Sequence, residues 1–559
     1  MTRGVAALVA GIALVACAAV AAIGPHQAPA PRADTILVNG HVVTVDARFS
    51  IAEAVAIGGG TFTAVGTNAA IRALAGPSTR VIDLHGQTVI PGLADGHLHD
   101  AGGGPGVDLS RARSIADLLA AIAARVGTSR PGDLIVTNSD WHEAQLAEHR
   151  LPYRADLDRV APRNPVVVVR GGHEYILNSA ALAKWNITKA TPEVPGGRIT
   201  RGDAGELNGE LVDRARSLVQ LPPAPPLTIE ALAEQHRKLN AAGLTSIRYP
   251  GASVEQYRLL QEMSRRGVLT IRVSQLLRFP ADDGPKMRAA IEASGIQPDE
   301  GDEWVRIGGM KLGVDGGFEG GWMREPYAEP WGEHGSFRGV NTMRADAFTS
   351  VVRELNRLGW RVATHAVGDA AIDEVLAGYE AAHADRSIAG RRWTIEHGFI
   401  ARADQFPRMK ALDLVISAQD HLYLAGPSLV KYWGAERAAW TTPLRAYLDR
   451  GFIVAGGTDS AVVPYPPLWV IYHFVTRDTI SGGVLGADQR VSREEALRIE
   501  TINNAFLTFE ERRKGSIEPG KLADLVVLPA DILACPPKLI EQMPVSMTMV
   551  GGRIVFEKR

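Results

Sequence analysis

Cysteine is nearly absent from this chain of 559 residues, which contains only Cys17 and Cys535. If Cys17 is modified, or removed together with the N-terminal segment, Cys535 has no partner and a disulfide framework is excluded. Zinc sites built from several cysteine thiolates are excluded as well. A metal site in this chain must therefore use other side chains.

An excess of charge of either sign is also absent. The 60 Lys and Arg residues balance 62 Asp and Glu residues, for a net charge of −2. Without a basic run there is no electrostatic case for a nucleic-acid partner. The Gly-x-Ser-x-Gly elbow and the His-Glu-x-x-His helix do not occur, and Gly102-Gly103-Gly104 lacks the Gly-Lys-Ser/Thr that completes a phosphate loop.

A long hydrophobic run does occur at the N-terminus, where Arg3 precedes an apolar stretch from Gly4 to Ile23. This pattern predicts a signal peptide or lipoprotein signal over 1–23 and a Pro/Ala-rich linker over 24–34. Within it, Leu14-Val15-Ala16-Cys17 resembles the lipobox of bacterial lipoproteins, which predicts membrane attachment by lipid at Cys17. We expect an exported protein, periplasmic or anchored to the membrane. The alternatives are cleavage at a nearby Ala-x-Ala site and retention of the segment as an anchor.

The centre of the chain alternates strand-like and helix-like segments, which indicates βα units and a parallel sheet. Eight strands are the number in a (β/α)8 barrel. The predicted fold class is therefore α/β, with a (β/α)8 TIM barrel over 92–505 and a large insertion after barrel strand 1, at about 100–240, that covers the site. The eight predicted strands end near Gly92, Tyr249, Leu277, Leu312, His365, His397, Ala418 and Asp459.

Both ends of the chain are rich in short strands. Near the N-terminus, Ile36–Val38 and Val42–Val45 predict a hairpin around Asn39-Gly40, and Ala54–Ile57 with Phe62–Val65 predict a second. The C-terminal residues have the same character. We therefore predict one composite β-sandwich made from 35–91 and 506–559.

Two histidines follow the first predicted barrel strand, Val89–Gly92. His97 and His99 are two residues apart, so in an extended segment both side chains project to the same face and can bind one metal together. The alternative is a purely structural pair. Asp95 and Asp100 are interpreted as turn residues or as outer residues that support the histidines.

His365 and His397 each end an apolar run, and their separation suits one βα unit, so they should lie on adjacent strands. One such histidine indicates a structural hydrogen bond, whereas two in successive units favour ligands. Glu396 is expected to point the other way along its strand, as a packing or ion-paired residue. Asp459 follows the last strand, where a carboxylate can bind metal through one oxygen and hold a proton with the other.

Lys311 ends the run from Arg306 to Met310, at the same relative place as the histidines. A lysine ammonium is usually a solvated surface charge and cannot be a metal ligand. The neutral amine can react with carbon dioxide to give a carbamate, whose two oxygens can bridge two cations, and burial favours that route because it lowers the pKa of lysine.

These segments together resemble the amidohydrolase superfamily and, more narrowly, the amidohydrolase-3 (YtcJ-like) group of metal-dependent hydrolases. The resemblance covers the chain from Thr35 to the C-terminus and includes segments of the insertion and of the C-terminal tail. One departure is Gln419-Asp420-His421, where relatives have Gln-Pro. The resemblance therefore does not predict the substrate pocket beside this segment, whereas its prediction of the metal site is unaffected. The matching residues are Ala94–His99, Lys311, Thr364–Asp369, Ile395–His397 and Gly457–Ser460.

The resemblance implies a divalent metal centre, with two zinc ions as the expected content. It implies that His97, His99 and Asp459 hold the more buried ion. His365 and His397 then hold the second ion, and a carbamate on Lys311 bridges the two. From the insertion, His173 is a candidate substrate-binding residue, and the alternative is a histidine simply buried under the roof.

The resulting hypothesis is an enzyme, a metal-dependent hydrolase that uses metal-activated hydroxide to cleave a non-peptide C–N bond of amide, N-formyl or N-acyl type in a small-molecule substrate. Asp459 is the predicted catalytic residue, which takes the proton and returns it to the leaving nitrogen. A deaminase or an ester or lactone hydrolase at the same centre remains an alternative, although Lys311 argues against deamination. A non-catalytic exported binding lipoprotein is the alternative from another class. No motif predicts an oligomeric state.

Overall fold

The computed structural model describes residues 33 to 558, except 203, 224, 281, 330–334 and 464. The predicted signal over 1–23, with Cys17, and most of the predicted linker lie outside the described residues. Within the described part of the chain, no helix is long and apolar enough to cross a membrane.

The strands are given first, in chain order. They are β1 (Thr35–Val38), β2 (His41–Val43), β3 (Ile51–Ala52), β4 (Ala54–Gly58), β5 (Thr61–Gly66), β6 (Arg80–Asp83), β7 (Thr88–Pro91), β8 (Leu93–Asp95), β9 (Ile135–Val136), β10 (Val166–Arg170), β11 (Glu174–Leu177), β12 (Gly197–Arg201), β13 (Leu207–Asp213), β14 (Leu244–Ala252), β15 (Arg272–Leu277), β16 (Val305–Gly313), β17 (Val362–Ala366), β18 (Thr394–His397), β19 (Val415–Gln419), β20 (Val454–Gly457), β21 (Asp478–Thr479), β22 (Gly483–Val484), β23 (Leu525–Leu528), β24 (Met547–Val550) and β25 (Arg553–Glu557).

The α-helices are numbered in the same way, and short 3₁₀ turns occur at Glu143–Gln145, Arg214–Leu218 and Ala487–Gln489. The helices are α1 (Asn68–Arg72), α2 (Ile115–Gly127), α3 (Arg154–Val160), α4 (Ser179–Lys184), α5 (Ile229–Ala241), α6 (Val254–Arg265), α7 (Gly284–Ser294), α8 (Ala345–Arg357), α9 (Asp369–Asp385), α10 (Phe406–Ala411), α11 (His421–Trp433), α12 (Ala435–Trp440), α13 (Leu444–Asp449), α14 (Pro467–Thr476), α15 (Arg493–Glu500), α16 (Ile502–Leu507) and α17 (Pro537–Gln542).

Eight parallel strands form the central sheet, in the order β20-β19-β18-β17-β16-β15-β14-β8. The two end strands meet, because Gly96 N, just after β8, donates to Gly456 O in β20 at 2.8 Å. Asn504 also joins them, since its Nδ2 donates to the carbonyl oxygens of Ala94 and Gly456. The predicted fold class, a (β/α)8 barrel with an added domain, is confirmed.

The helices around the barrel form because their apolar residues recur at helical spacing. In α8, Phe348, Val351, Val352 and Leu355 are buried, and these positions lie on one face of a helix. That face packs toward α9 and the sheet, while Asp346, Arg353 and Arg357 of α8 remain at the surface. This arrangement leaves the carboxyl ends of the strands free of helices and open to the loops that form the site.

The segment between β8 and β14 forms a separate five-stranded sheet, in the order β12-β13-β11-β10-β9, with its own apolar cluster around Trp141 and Leu157. This is the predicted insertion after barrel strand 1. Residues Ser139, Gly171, Gly172 and His173 of the insertion line the cavity at the end of the barrel.

Two further sheets combine both ends of the chain. One has the order β5-β4-β1-β6, and the other has the order β25-β24-β23-β7-β2-β3. They share an apolar cluster that includes Leu37 and Val55 from the first sheet and Val89 and Val527 from the second. The terminal segments therefore pack face to face as a sandwich beside the barrel, while the predicted domain boundaries remain predictions.

Two local predictions are wrong. The run Val89–Gly92, predicted as the first barrel strand, lies in β7 of the sandwich, where Val527 pairs with Val89, and the barrel strand is the next segment, β8. Pro91 has no N–H and Gly92 bends readily, so one apolar run is divided between two sheets. The predicted hairpin around Asn39-Gly40 does not form either, because β1 pairs with β4 and β6 while β2 pairs with β3 and β7.

Candidate metal centre

The predicted site residues come together at the carboxyl ends of the barrel strands, around one cavity of about 580 Å³. His97 and His99 follow β8, and Asp459 follows β20. The side chain of His99 is half-exposed at 46%, in contrast to 1% for His97. The predicted residues that line this cavity are His97, His99, His173, Lys311, His365, His397 and Asp459.

The tightest group is formed by His97, His397 and Asp459, each of which is buried and offers one ligand atom within 4.8 Å of the others. Asp459 Oδ1 lies 3.5 Å from His97 Nε2 and 3.1 Å from His99 Nε2. This oxygen is buried and has no hydrogen-bond partner in the described residues. Buried polar atoms are almost always paired, so an unpaired oxygen facing two imidazole nitrogens fits a site for a cation.

A buried carboxylate sets the tautomer of His97. His97 Nδ1 lies 2.5 Å from Glu396 Oε2, and Arg248 Nη1 donates to Glu396 Oε1 at 2.7 Å. Burial disfavours the charged form of Glu396, but Arg248 and His97 hold the pKa of this carboxyl far below its usual value. The ionised carboxylate only accepts, so His97 carries its proton on Nδ1 and its Nε2 is free to bind a metal.

This contact corrects the expectation that Glu396 points away from the site. The prediction of an ion-paired residue is right, but the partner is a ligand candidate and the side chain lies inside the barrel. Strict alternation along β18 fails at its last residue because His397 has a left-handed backbone, with φ of 72°. Glu396 and His397 can therefore both approach His97, whose ring centroid is 4.9 Å from that of His397.

His397 is supported in the same way as His97. Its Nδ1 lies 2.7 Å from Gln419 Oε1, and Gln419 Nε2 donates to Ser417 Oγ, which fixes the orientation of the amide. The amide oxygen accepts, so His397 Nε2 is free. His365 differs, because its Nε2 contacts Gly316 O at 3.1 Å, which leaves Nδ1 as its free nitrogen.

His97, His365 and His397 are neutral near pH 7. Burial lowers the pKa of His97 to about 4 and lowers the pKa values of His365 and His397 well below the ordinary value. Asp459, in contrast, must be ionised to bind a metal. Burial opposes its ionisation, but His97, His421 and His99 keep its pKa well below the usual value. Neutral imidazoles with an ionised carboxylate are the forms that bind a divalent cation.

Lys311 is buried in β16 and has no hydrogen bond or ion pair within the described residues. Burial lowers its pKa to about 8, with Arg278 and Arg248 acting in the same direction and Glu396 and Asp459 opposing it. The neutral amine that carbamate formation needs is therefore accessible near physiological pH.

Backbone strain marks the same place. Asp459 has a left-handed backbone, with φ of 58°, a conformation that non-glycine residues rarely adopt. Asp95 stabilises this turn, because its carboxylate accepts from the N–H groups of His97 and Thr458 and from Thr458 Oγ1 at 2.7 Å. Asp95 is thus a supporting residue, as its position in the sequence indicated.

Comparison with known proteins agrees with this geometry. Residues 80–556 match the model of the amidohydrolase family. The chain belongs to the amidohydrolase family. It is 30% identical over 549 residues to an N-substituted formamide deformylase of Arthrobacter pascens, which covers 94% of this chain and 98% of the relative. It is 27% identical to the YtcJ protein of Bacillus subtilis (strain 168), over 86% of this chain and 91% of the relative.

Solved structures of metal-dependent hydrolases share the fold. One from Pyrococcus furiosus is 27% identical, with a TM-score of 0.63, and covers 89% of this chain and 99% of its own. One from Pyrococcus horikoshii OT3 has a TM-score of 0.67 at 24% identity, over 90% of this chain and 99% of its own, and shows the fold alone. This amidohydrolase is therefore placed among metal-dependent hydrolases.

Sequence reasoning missed one residue of the amidohydrolase site. His421, at the start of α11, is buried, and its Nε2 lies 3.2 Å from Asp459 Oδ2. Asp459 is therefore contacted on one oxygen by His97 and His99 and on the other by His421. The signal was available, because His421 follows β19 as the other histidines follow their strands, but it was interpreted only as a departure from the family pattern.

His173 reaches the cavity from the insertion. Its Nδ1 lies 2.6 Å from Asp213 Oδ1, and its ring stacks on that of His365 with centroids 5.6 Å apart. The side chain is 31% exposed, so the alternative of a histidine fully buried under the roof does not describe it. Whether it binds substrate stays a prediction.

Proposed function

We propose that this amidohydrolase cleaves a C–N bond outside peptides, in an N-formyl or short N-acyl amide, at a centre of two divalent ions. The observation that carries the proposal is the buried group His97, His397 and Asp459, with Lys311 and His365 in the same cavity. The likeness to an N-substituted formamide deformylase over nearly its whole length supports the choice of bond.

The donor set suits zinc, because several imidazoles with a carboxylate are typical zinc ligands. His97, His99 and Asp459 would hold one ion, and His365 and His397 would hold the other. A carbamate on Lys311 would bridge them. The ring centroid of His397 lies 4.9 Å from that of His97 and 4.5 Å from that of His365, so His397 could bind either ion. When bound, such ions supply a hydroxide nucleophile near neutral pH and polarise the substrate carbonyl.

The residues of the chain would move the proton. Asp459 is ionised near neutral pH and can accept the proton of the attacking water, then deliver it to the leaving nitrogen. His421 holds the second oxygen of Asp459 and so fixes the plane of the carboxylate. His173, oriented by Asp213, would contact the substrate from the insertion.

The test is Asp459→Asn, assayed on N-formyl and N-acyl amides with bound zinc measured on the same sample. We expect zinc to be retained and kcat to fall by about 10²- to 10⁴-fold, because the asparagine amide cannot accept the proton. The control is Asp385→Asn on the surface, where Asp385 pairs with Arg353 far from the barrel cavity. An undiminished kcat in Asp459→Asn would contradict the assigned role of Asp459. If the wild-type protein contains negligible zinc and hydrolyses none of the amides, the alternative of a non-catalytic binding lipoprotein is supported instead.

We also infer that the chain is exported and anchored by lipid at Cys17. The support is the apolar run after Arg3 and the segment Leu14–Cys17, which lie outside the described residues. An anchored enzyme would meet its substrate outside the cytoplasm.

A further inference from the structure

Three arginines line the cavity that contains the candidate metal ligands. Arg278 follows β15 of the barrel, and Arg214 and Arg216 belong to the 3₁₀ turn Arg214–Leu218 of the insertion. Within the described ranges, no carboxylate forms an ion pair with any of the three. They therefore differ from the arginines that this fold uses for support.

Three buried arginines that support the fold are paired with carboxylates, whereas buried Arg477 donates to backbone carbonyls such as those of Thr441 and Thr442. Arg248 pairs with Glu396 and Arg272 pairs with Asp524. Arg170 contacts Glu143 and Glu174. Arg278 and Arg214 are exposed and Arg216 is partly buried. A guanidinium that faces a cavity without a protein anion is available to pair with a ligand that brings the negative charge.

Arg278 lies beside the catalytic end of the cavity. A Cβ atom added to Gly313 would lie 3.5 Å from His365 Cβ and 3.9 Å from Arg278 Nη2. The absence of a side chain at Gly313 thus leaves open the space between this guanidinium and a candidate metal ligand. Although the side chain of Arg278 is accessible from the cavity, the surrounding protein lowers its pKa.

The insertion holds Arg216 in place. Its guanidinium lies over the ring of Tyr175, 5.2 Å from the centroid, and its Nε donates to Asp213 O at 3.1 Å. These contacts leave its terminal nitrogens available. The stem of Arg214 packs against Gly196, where an added Cβ would lie 3.0 Å from its Cδ.

The acids that line the cavity do not balance these charges. Only Asp315 and Asp459 are acidic among its described lining residues, and Asp459 belongs to the metal centre. Asp315 accepts from the N–H groups of Trp322, Val367 and Gly368, so backbone donors already engage its oxygens, and three arginines face this one remaining acid. The part of the cavity away from Asp459 is therefore positively charged.

We propose that the amide substrate carries a negatively charged group, a carboxylate in the simplest case, which Arg278 binds with help from Arg214 and Arg216. N-formyl and N-acyl amino acids belong to this class. Apolar residues such as Phe279 and Met343 also line the cavity, so the substrate has an apolar part as well. This inference rests on the proposed function and specifies its substrate class.

The test compares two amides that differ by one carboxylate, N-formylphenylalanine and N-formylphenethylamine, on the zinc-loaded enzyme. We expect kcat/KM to be about 10- to 100-fold higher for the carboxylate compound, as is typical of a charge-assisted contact. Arg278→Met should remove this preference and Arg278→Lys should restore part of it. Arg258→Met is the matched control, since Arg258 is exposed on the outer helix α6, away from the cavity, and donates to Ser294 O.

Equal or better hydrolysis of N-formylphenethylamine by the wild type would overturn the inference and leave the amidohydrolase proposal intact. A preference that persists in Arg278→Met would also overturn it. If neither amide is cleaved, the proposed function fails, and calorimetric binding of both compounds to the same protein decides the inference. Tighter binding of the carboxylate compound, lost in Arg278→Met, supports it, and equal binding overturns it.

Discussion

Glu396 and Lys311 are both buried near His97, but the protein stabilises the charged form of Glu396 and does not stabilise that of Lys311. Glu396 receives Arg248 and His97 as partners and stays ionised. Lys311 receives no partner in the described residues, so burial moves its pKa toward neutrality. A fixed anion supports a histidine ligand, whereas an uncompensated amine is available for chemistry.

The lowered pKa of Lys311 predicts how readily it forms a carbamate. With a pKa of about 8, roughly one Lys311 side chain in ten is neutral at pH 7, against roughly one in 2,500 for an ordinary lysine. At constant carbon dioxide pressure, we expect the carbamate to increase as pH rises through about 8, because only the neutral amine reacts. The measurement is carbon-13 NMR of the protein under labelled carbon dioxide.

Lys311→Met isolates the signal of Lys311 from those of surface lysines and of the N-terminus. The difference spectrum should contain one carbamate, and metal uptake should be weaker in the variant. A wild-type spectrum identical to that of Lys311→Met, or a signal that grows only near the pKa of an ordinary lysine, would show that Lys311 is not modified.

At the residue scale, the sequence predicted which side chains meet but not how each is oriented. His97, His365, His397, Lys311 and Asp459 could be identified because each follows an apolar strand. The contacts of Glu396 and His421 could not, because they depend on the left-handed backbone at His397 and on the start of α11. Strand alternation assumes regular geometry, and the site lies where that geometry ends.

At the scale of elements, the barrel strands were predictable because each is a short apolar run followed by a helix. Seven of the eight predicted ends fall within three residues of the observed ends of β14 to β20, and the first is wrong because its run lies in the sandwich. The terminal segments were harder, because strands adjacent in sequence do not pair. β1 and β2 follow one another but lie in different sheets, and β7 pairs with β23 from the other end of the chain.

A buried ion pair connects the barrel to the composite sandwich. Arg272, the first residue of β15, donates from Nε and Nη2 to the two carboxylate oxygens of Asp524 at 2.7 Å and 3.1 Å. Asp524 immediately precedes β23 of the sandwich and also accepts from Gly551 N. This pair joins the barrel to the composite sandwich, and both side chains are buried.

Asp524→Asn should therefore be strongly destabilising. The substitution keeps the size of the side chain but removes the bidentate partner of Arg272 and leaves Glu303, 3.8 Å away and partly exposed, as the nearest counter-charge. Breaking such a buried pair costs about 3–5 kcal/mol in free energy of unfolding. Urea unfolding followed by tryptophan fluorescence measures the loss. Asp346→Asn, which breaks the exposed pair Arg344–Asp346, should leave the free energy of unfolding nearly unchanged. Equal small losses in both variants would contradict the structural role of Asp524.

At the scale of the whole molecule, the site belongs to the barrel and to the insertion together. The candidate ligands come from the ends of β8, β16, β17, β18 and β20, while His173 and two of the cavity arginines come from the insertion. The barrel half of this site was predictable from motif order. Of the insertion half only His173 was predicted, because substrate-binding residues on loops follow no periodic pattern in one chain.

Attachment of the whole molecule to a membrane depends on Cys17 in our proposal. In a bacterial host, we expect the full-length chain to fractionate with membranes, to enter the detergent phase and to incorporate labelled fatty acid. Cys17→Ser should lose the label and leave the detergent phase, because the acyl chains supply the apolar surface that holds an anchored protein in a bilayer.

The second cysteine provides the control for this experiment. Cys535 is buried near the start of α17, so it is inaccessible to acylation, and Cys535→Ser should keep the label and the membrane association. A Cys17→Ser protein that stays in the detergent phase would instead indicate that the apolar run from Gly4 to Ile23 is retained as an anchor. If the wild-type protein enters the aqueous phase and begins after an Ala-x-Ala site, the segment is cleaved and no lipid is attached. The three outcomes therefore distinguish a lipid anchor, an apolar peptide anchor and release from the membrane.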